Sequence, residues 1–268
     1  MPPFELHIDV YLIAAVWCLI YALAFIRLAP KLGRETKPTK FQLANHICAV
    51  LTFIVGSNWP VHDVSEKSMY FVHMAQHLAF INLMAIFIIF SIPTWLARFL
   101  LVRKYILGIT RFCVRFLPAT VIFNVLIIIF HWPAFVDATL RNGFLHFGAH
   151  FMMVFGFIIV WMVIISPLPE IVRPTPIVQM IFLFLQSIVP TIPAAFLTLG
   201  SKPLYKVYEN LPKMFGISTI EDQQIAGSIM KIGQGLIIWG MIAVIWFTWS
   251  REEDQRELRF SAQKKNKL

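Results

Sequence analysis

The stretch that decides the fold is Tyr70–Ile89, with the sequence YFVHMAQHLAFINLMAIFII. Its 20 residues contain no Asp, Glu, Lys or Arg, and a helix of about that length crosses the hydrocarbon core of a bilayer. Two histidines, His73 and His77, lie four residues apart near its start. The stretch therefore predicts a membrane-spanning helix that presents two imidazoles near one membrane surface.

The composition extends this prediction to the whole chain. Of the 268 residues, 58% are apolar and only 14% are charged, whereas soluble domains carry about 25% charged residues. We therefore expect an all-α, polytopic membrane protein that forms one domain over residues 1–268, with a basic cytoplasmic tail at 251–268. The seven predicted spans are Val10–Leu28, Phe41–Ser57, Tyr70–Ile89, Leu117–Phe135, Phe144–Ile165, Ile177–Leu199 and Ile225–Trp249.

The basic residues predict the orientation of these spans. Seventeen of the 23 Lys and Arg residues fall in the first, third and fifth connections and in the tail, and such residues favour the cytoplasmic side. The N-terminus is therefore expected outside and the C-terminus in the cytoplasm. Because the first nine residues contain no Lys or Arg, we expect the first span to stay attached rather than be cleaved as a signal peptide. The net charge of +9 follows from this topology and from attraction to anionic membrane lipid, without a nucleic-acid partner.

Two segments of the chain carry the same residues at an offset of 73. In each, a Trp-Pro dipeptide is followed, thirteen residues after the proline, by two histidines at HxxxH spacing. The two copies are Trp59-Pro60 with His73 and His77, and Trp132-Pro133 with His146 and His150. We interpret them as an internal repeat of helices 2–3 and 4–5. Seven of the eight histidines fall on the predicted outer side of the membrane.

The histidine spacing predicts a metal site. Residues i and i+4 lie one above the other on a helix, so each pair can bind an ion from one helix face. Met69 and Met153 extend these faces as auxiliary ligands. Imidazole together with thioether favours copper, especially Cu(I), over zinc. The four predicted metal ligands, in one shared site or in two adjacent sites, are His73, His77, His146 and His150.

Three further side chains are candidate auxiliary ligands. His62 lies in the second outer connection, His131 ends the fourth span and Asp222 begins the seventh. The plainer interpretation gives the histidines a place at the membrane interface and lets Asp222 stabilise the N-terminus of its own helix. Gly227, five residues further on, would permit close helix packing.

Residue types argue against several catalytic classes. The three cysteines are scattered without a CxxC motif, which argues against a disulfide or a thiolate copper clamp. The run from His73 to His77 resembles a zinc-protease helix, but the glutamate that would act as general base is absent and Gln76 cannot replace it. Acidic residues are nearly absent from the spans, so a proton pump would lack its relay. We therefore do not expect an enzyme.

Three short runs, each opening a span, carry a resemblance to a known family: His73-Met-Ala-Gln-His77, Leu145-His146-Phe-Gly-Ala-His150 and Asp222-Gln-Gln-Ile-Ala-Gly227. From about Trp17 to Trp249, the chain resembles the seven-helix cytochrome c oxidase assembly factors of the CtaG type. This resemblance implies a bacterial plasma-membrane protein that helps to build a haem–copper oxidase through its copper centre. It places the family's histidine pairs at the four histidines named above and the family's acidic motif at Asp222.

The resulting hypothesis is a copper-handling assembly factor. Copper would arrive from a periplasmic donor on the outer side, bind the paired imidazoles and pass to a cytochrome c oxidase subunit in the same membrane. Two alternatives stay open at this point. One is a membrane haem b protein that uses the same histidines as axial ligands, and the other is a metal-free scaffold for oxidase assembly.

Overall fold

The computed structural model describes residues 1–265, and every regular element in that range is helical. This confirms the prediction of an all-α chain. The last three residues of the predicted tail, 266–268, lie outside the described range. In chain order the helices are α1 (Ile8–Lys31), α2 (Lys40–Gly56), α3 (Val61–Lys67), α4 (Tyr70–Ser91), α5 (Thr94–Leu101), α6 (Ile106–Cys113), α7 (Phe116–Phe130), α8 (Pro133–Thr139), α9 (Gly143–Ile165), α10 (Pro176–Leu199) and α11 (Thr219–Gln263, with helical backbone to Lys265).

Five of these helices are long and apolar enough to cross a membrane, namely α1, α4, α9, α10 and α11. Two bent pairs, α2 with α3 at 43° and α6 with α7 at 78°, raise the number to seven if each pair counts as one span. The chain is thus a multi-pass helical bundle with five to seven candidate spans among its described residues.

The region of the fourth predicted span is organised differently from the prediction. Helix α7 ends at Phe130 rather than Phe135, because Trp132-Pro133 starts the separate helix α8. Proline suits the first turn of a helix, where its missing N–H would have no partner. The third connection, predicted as a loop, contains the two short helices α5 and α6.

The last helix is longer than predicted at both ends. It begins at Thr219 rather than Ile225, because Ser218 and Glu221 form a reciprocal capping box that starts the helix earlier. At the other end its helical backbone passes the predicted limit at Trp249 and continues through the described part of the basic tail.

The two Trp-Pro segments have the same order of elements. Helices α3 and α8 are both seven residues long, and α4 and α9 follow them with starts at Tyr70 and Gly143, which are 73 residues apart. Both segments thus consist of a short helix and a long helix that carries the histidine pair. Their origin by duplication stays a prediction.

The connections between the long helices collect at two ends of the bundle. At one end Trp59 Nε1 donates to the carbonyl of Pro2, the Tyr205 hydroxyl donates to the carbonyl of His131, and the Tyr208 hydroxyl donates to that of Ser65. We call this the histidine end, and its segments are 2–7, 57–69, 131–142 and 200–218. The opposite end contains the ion pair between Arg98 and Glu170.

Helix α4 is central to the packing of the histidine end. It contacts α2, α9 and α11. Gly56 lets α2 approach closely, since a Cβ atom there would lie 2.4 Å from the Phe80 ring of α4. Gly227 permits the close packing of α11 on α10 that its sequence position predicts, because a Cβ atom there would lie 2.8 Å from the carbonyl oxygen of Ala194. The bundle therefore holds α4 tightly on three sides.

Candidate metal centre

Helices α4 and α9 present their histidine pairs to each other. Within the pairs, the ring centroids are 4.2 Å apart for His73 and His77 and 4.4 Å apart for His146 and His150. Across the two helices, the His77 and His150 rings are 4.5 Å apart, and the His73 ring is 5.7 Å from that of His146 and 5.8 Å from that of His150. The four imidazoles that the spacing singles out therefore converge on one place.

Each of the four imidazoles keeps one buried ring nitrogen without a hydrogen-bond partner in the described structure. These atoms are Nδ1 of His73 and Nε2 of His77, His146 and His150. Burying a polar atom without a partner costs about 1–3 kcal/mol. Nε2 of His146 faces a carboxylate of Glu66 at 2.8 Å, and the other three atoms, in one place, call for a ligand. Neutral imidazole nitrogens are good ligands for copper and zinc. The donor set fits a transition-metal ion.

The spacing of the donor atoms also fits one ion after a small adjustment. Ligand nitrogens of three of the four residues, His73, His77 and His150, all lie within 4.8 Å of one another, and His146 is not part of this group. Two nitrogens that each bind an ion at about 2 Å are at most about 4 Å apart. The rings would therefore have to close on a shared ion by less than about 1 Å.

Glu66, on helix α3, lies beside the four histidines although its sequence position forms no motif. Its Oε1 lies 2.8 Å from His146 Nε2 and 3.5 Å from His62 Nε2. The contact with His146 has ion-pair distance but not hydrogen-bond geometry. The internal repeat does not predict Glu66 either, because the equivalent position 73 residues later is Thr139. The sequence feature that could have identified Glu66 is its i+4 spacing from His62, in the helix directly before α4.

Two of the auxiliary candidates, His131 and Met153, line a small cavity beside His77. The cavity measures about 20 Å³, and two further methionines, Met74 and Met230, also face it. The thioethers are soft donors that suit Cu(I). His131 Nδ1 lies 2.8 Å from the carbonyl oxygen of residue 127, so Nδ1 carries the proton and Nε2 is the free ring nitrogen.

The other methionine candidate, Met69, has a different partner in the structure. The Met69 side chain is fully buried, and its sulfur accepts a hydrogen bond of 3.3 Å from the backbone N–H of Met214. Met69 also precedes the first residue of α4 without capping it. It therefore ties the 200–218 connection to the start of the histidine helix.

Asp222 lies in the first turn of its own helix, as predicted, and its side chain also holds the N-terminus of α4. Its Oδ2 accepts from the backbone N–H of Tyr70 and its Oδ1 from that of Phe71, both at 2.9 Å. The ammonium of Lys213 lies 2.8 Å from Oδ2. These N–H groups have no partner within the helix, and a carboxylate also favours the positive end of the helix dipole. Asp222 thus positions the helix that carries His73.

Two tyrosines of the 200–218 connection close the histidine end. Tyr205 donates to the carbonyl of His131 at 3.1 Å, and Tyr208 donates to that of Ser65 at 3.0 Å. Burial raises the pKa of Tyr205 to about 12 and the pKa of Tyr208 well above its ordinary value, because a phenolate loses its hydration in such a place. Both hydroxyls therefore stay protonated and keep donating.

A second group of potential ligands lies nearer the surface, at Glu5, His7 and Asp63. The ammonium of Lys67 lies 2.7 Å from Asp63 and also pairs with Glu5. It partly neutralises both carboxylates of the group. We interpret this group as an ion-pair cluster that fastens the N-terminal segment to α3.

One of the comparisons with known proteins identifies a family. Residues 19–252 match the family model described as cytochrome c oxidase caa3 assembly factor (Caa3_CtaG). No curated protein and no solved structure matches the chain. The matched range includes both histidine pairs, Glu66 and Asp222. The chain therefore belongs to the cytochrome c oxidase caa3 assembly factor family.

Proposed function

We propose that this assembly factor binds copper at its four clustered histidines and delivers it to a cytochrome c oxidase subunit in the same membrane. The observation that carries the proposal is the convergence of four imidazoles. Three of them have a buried ring nitrogen that lacks a partner, and the fourth, His146, has only the nearby carboxylate of Glu66. Such an arrangement is unfavourable for an apolar bundle by itself. It becomes favourable once an ion takes the four lone pairs.

The donor set suits a carrier better than a permanent store. Imidazole binds copper without the strong, soft bonds that thiolates form, so the ion can be given up to a partner. The methionines around the cavity beside His77 offer further soft donors for Cu(I). The protein itself would make or break no covalent bond of a substrate, which agrees with a non-catalytic role.

We propose that the histidine end faces the outside of a bacterial plasma membrane. The connections at the opposite end carry most of the Lys and Arg residues, which favour the cytoplasm. Copper would then arrive from a periplasmic donor. An impermeant thiol reagent applied to whole cells would label a cysteine introduced at Lys202, in a variant without the native cysteines, and absence of labelling would contradict this orientation.

Counting bound copper tests the proposal directly. The purified protein is loaded with Cu(I) under anaerobic conditions, desalted and assayed for metal, and then compared with His77→Ala and His150→Ala. We expect both variants to lose most of the copper that the parent protein retains. The matched control is His46→Ala, because His46 is a buried histidine with two unpartnered ring nitrogens that stacks on Tyr21 away from the site. Unchanged copper in both site variants would remove the ligand assignment.

The two alternatives give different results. A haem b site needs space for a porphyrin between its axial ligands, whereas the His77 and His150 rings are in direct contact. An absorption spectrum with a Soret band and a sharp reduced α-peak would nevertheless favour haem. A metal-free scaffold would retain no copper in any variant.

A further inference from the structure

The four-histidine site is set back from the surface, so an ion needs a route into it. The ring nitrogens that lack partners are buried, and the His146 side chain is only 11% exposed. His62 and Glu66 lie further out, with side chains 24% and 26% exposed. Exposure therefore falls from His62 and Glu66 on α3 to His146 and to the buried ring nitrogens of the site.

The side chains of His62, Glu66 and His146 form a row from the surface to the site, and their donor atoms are close enough for an ion to pass from one to the next. The Oε1 atom of Glu66 is 3.5 Å from His62 Nε2 and 2.8 Å from His146 Nε2. Donors that share an ion with bonds of about 2 Å lie at most about 4 Å apart. The rings of His146 and His150 are then 4.4 Å apart. His7 extends this row of side chains outwards, since its ring is 5.1 Å from that of His62.

No lysine or arginine of the described structure forms an ion pair with the carboxylate of Glu66, so it can bind a cation. Lys67 is the adjacent cation, but its ammonium is held by Asp63 and Glu5. The contacts of Glu66 in the described structure are with the two histidines. A partly exposed carboxylate between two imidazoles is a ligand set that attracts a cation.

We propose that His62, Glu66 and His146 form a capture site that binds copper at the surface of the histidine end and passes it to the four-histidine site. The inference rests on the proposed copper-binding function. His146 is common to both sites, so it stays bound while His62 and Glu66 are exchanged for His150 and His77. Only metal–ligand bonds are exchanged, the oxidation state of the ion does not change, and no further reactant is needed.

The test separates the rate of loading from the amount of copper bound. Purified protein is mixed anaerobically with the Cu(I)–bicinchoninate complex, and the loss of its colour is followed in time. Glu66→Gln keeps the shape of the side chain and removes the carboxylate charge, and His62→Asn replaces the imidazole by a smaller polar group. We expect both to bind the same final amount of copper and to load about tenfold more slowly, an effect of the size seen when groups that support metal ligands are removed.

The matched control is Glu209→Gln, which removes the same charge from an exposed residue at the same end of the bundle. We expect it to load at the rate of the parent protein, so that a general loss of electrostatic attraction is accounted for. Parent-like loading in both Glu66→Gln and His62→Asn would overturn the capture site while leaving the four-histidine site intact. A reduced final amount in Glu66→Gln would also overturn it, because Glu66 would then be a ligand of the final site. Failure of the parent protein to bind copper would refute the proposed function itself.

Discussion

At the scale of single residues, the site is defined by which polar atoms have partners. His77 has a buried ring nitrogen without one. Its neighbour Gln76 has partners on both sides of its amide. The amide nitrogen donates to the carbonyl of Gly56 at 2.7 Å, and the amide oxygen lies 3.1 Å from Ser65 Oγ, whose single proton is shared with the carbonyl of residue 62. The two residues are adjacent on α4, yet the side chain of Gln76 has partners and the buried ring nitrogen of His77 has none.

This contrast predicts opposite effects of two equivalent substitutions. We expect His77→Leu to raise the free energy of unfolding of the metal-free protein by about 1 kcal/mol, because it removes a buried atom without a partner. We expect Gln76→Leu to lower it by about 1–3 kcal/mol, because two hydrogen bonds are lost and their partners are left buried. Denaturant unfolding of the metal-free protein in detergent measures both changes. Destabilisation of similar size by both substitutions would show that the histidine nitrogen is satisfied without metal.

The sequence made the histidines predictable at this scale but not Glu66. The histidine pairs stand out because HxxxH places two imidazoles on one helix face whatever the surroundings. Glu66 reaches His146 across 80 positions of the chain, and such a contact depends on how α3 packs against α9. No local pattern specifies that packing.

At the scale of helices, the two histidine helices are held at their N-termini in different ways. Helix α9 is capped locally by Asn142, whose Oδ1 accepts from the N–H groups of Phe144 and Leu145. Helix α4 lacks a local side-chain cap, and Asp222 supplies one from α11. The position of His73 and His77 therefore depends on a distant carboxylate. Its sequence position favoured a role at its own helix, because the N-terminus of a neighbouring helix is not visible in the sequence.

The dependence of α4 on Asp222 is testable by a single substitution. Asp222→Asn would remove the charge that pairs with Lys213 and faces the helix dipole, so we expect a loss of about 2–3 kcal/mol in the free energy of unfolding. We also expect weaker copper binding, because the histidine helix is less firmly positioned. Thermal unfolding and competition with a copper chelator measure the two effects. The control is Asp254→Asn, the same change at an exposed residue of α11, and equal stability of the two variants would refute the capping role.

At the scale of the whole molecule, hydropathy predicts the class of fold better than its details. The long apolar runs give the multi-pass helical bundle, and the family match supports its place in oxidase assembly. Hydropathy does not separate α7 from α8 within one apolar run, because the break at Trp132-Pro133 depends on backbone chemistry rather than polarity. It also misses the helices of the third connection, which are too short to span a membrane.

The bundle brings together two histidine pairs that lie 73 residues apart in the sequence. The two histidine pairs become one site only because α4 packs against α9, with the 200–218 connection closing over them. A carrier of this kind would place its cargo at the end of the bundle, where an oxidase subunit in the same membrane can reach it.

X-ray absorption at the copper K-edge of the loaded protein tests the central claim most directly, because it reports the atoms bound to the ion. We expect a first shell dominated by nitrogen at about 2 Å, with the outer-shell scattering typical of imidazole rings. We also expect this signal to be lost together with the metal in the double variant His77→Ala, His150→Ala. A first shell dominated by sulfur, or an imidazole signal that persists in that variant, would contradict copper coordination by the paired histidines.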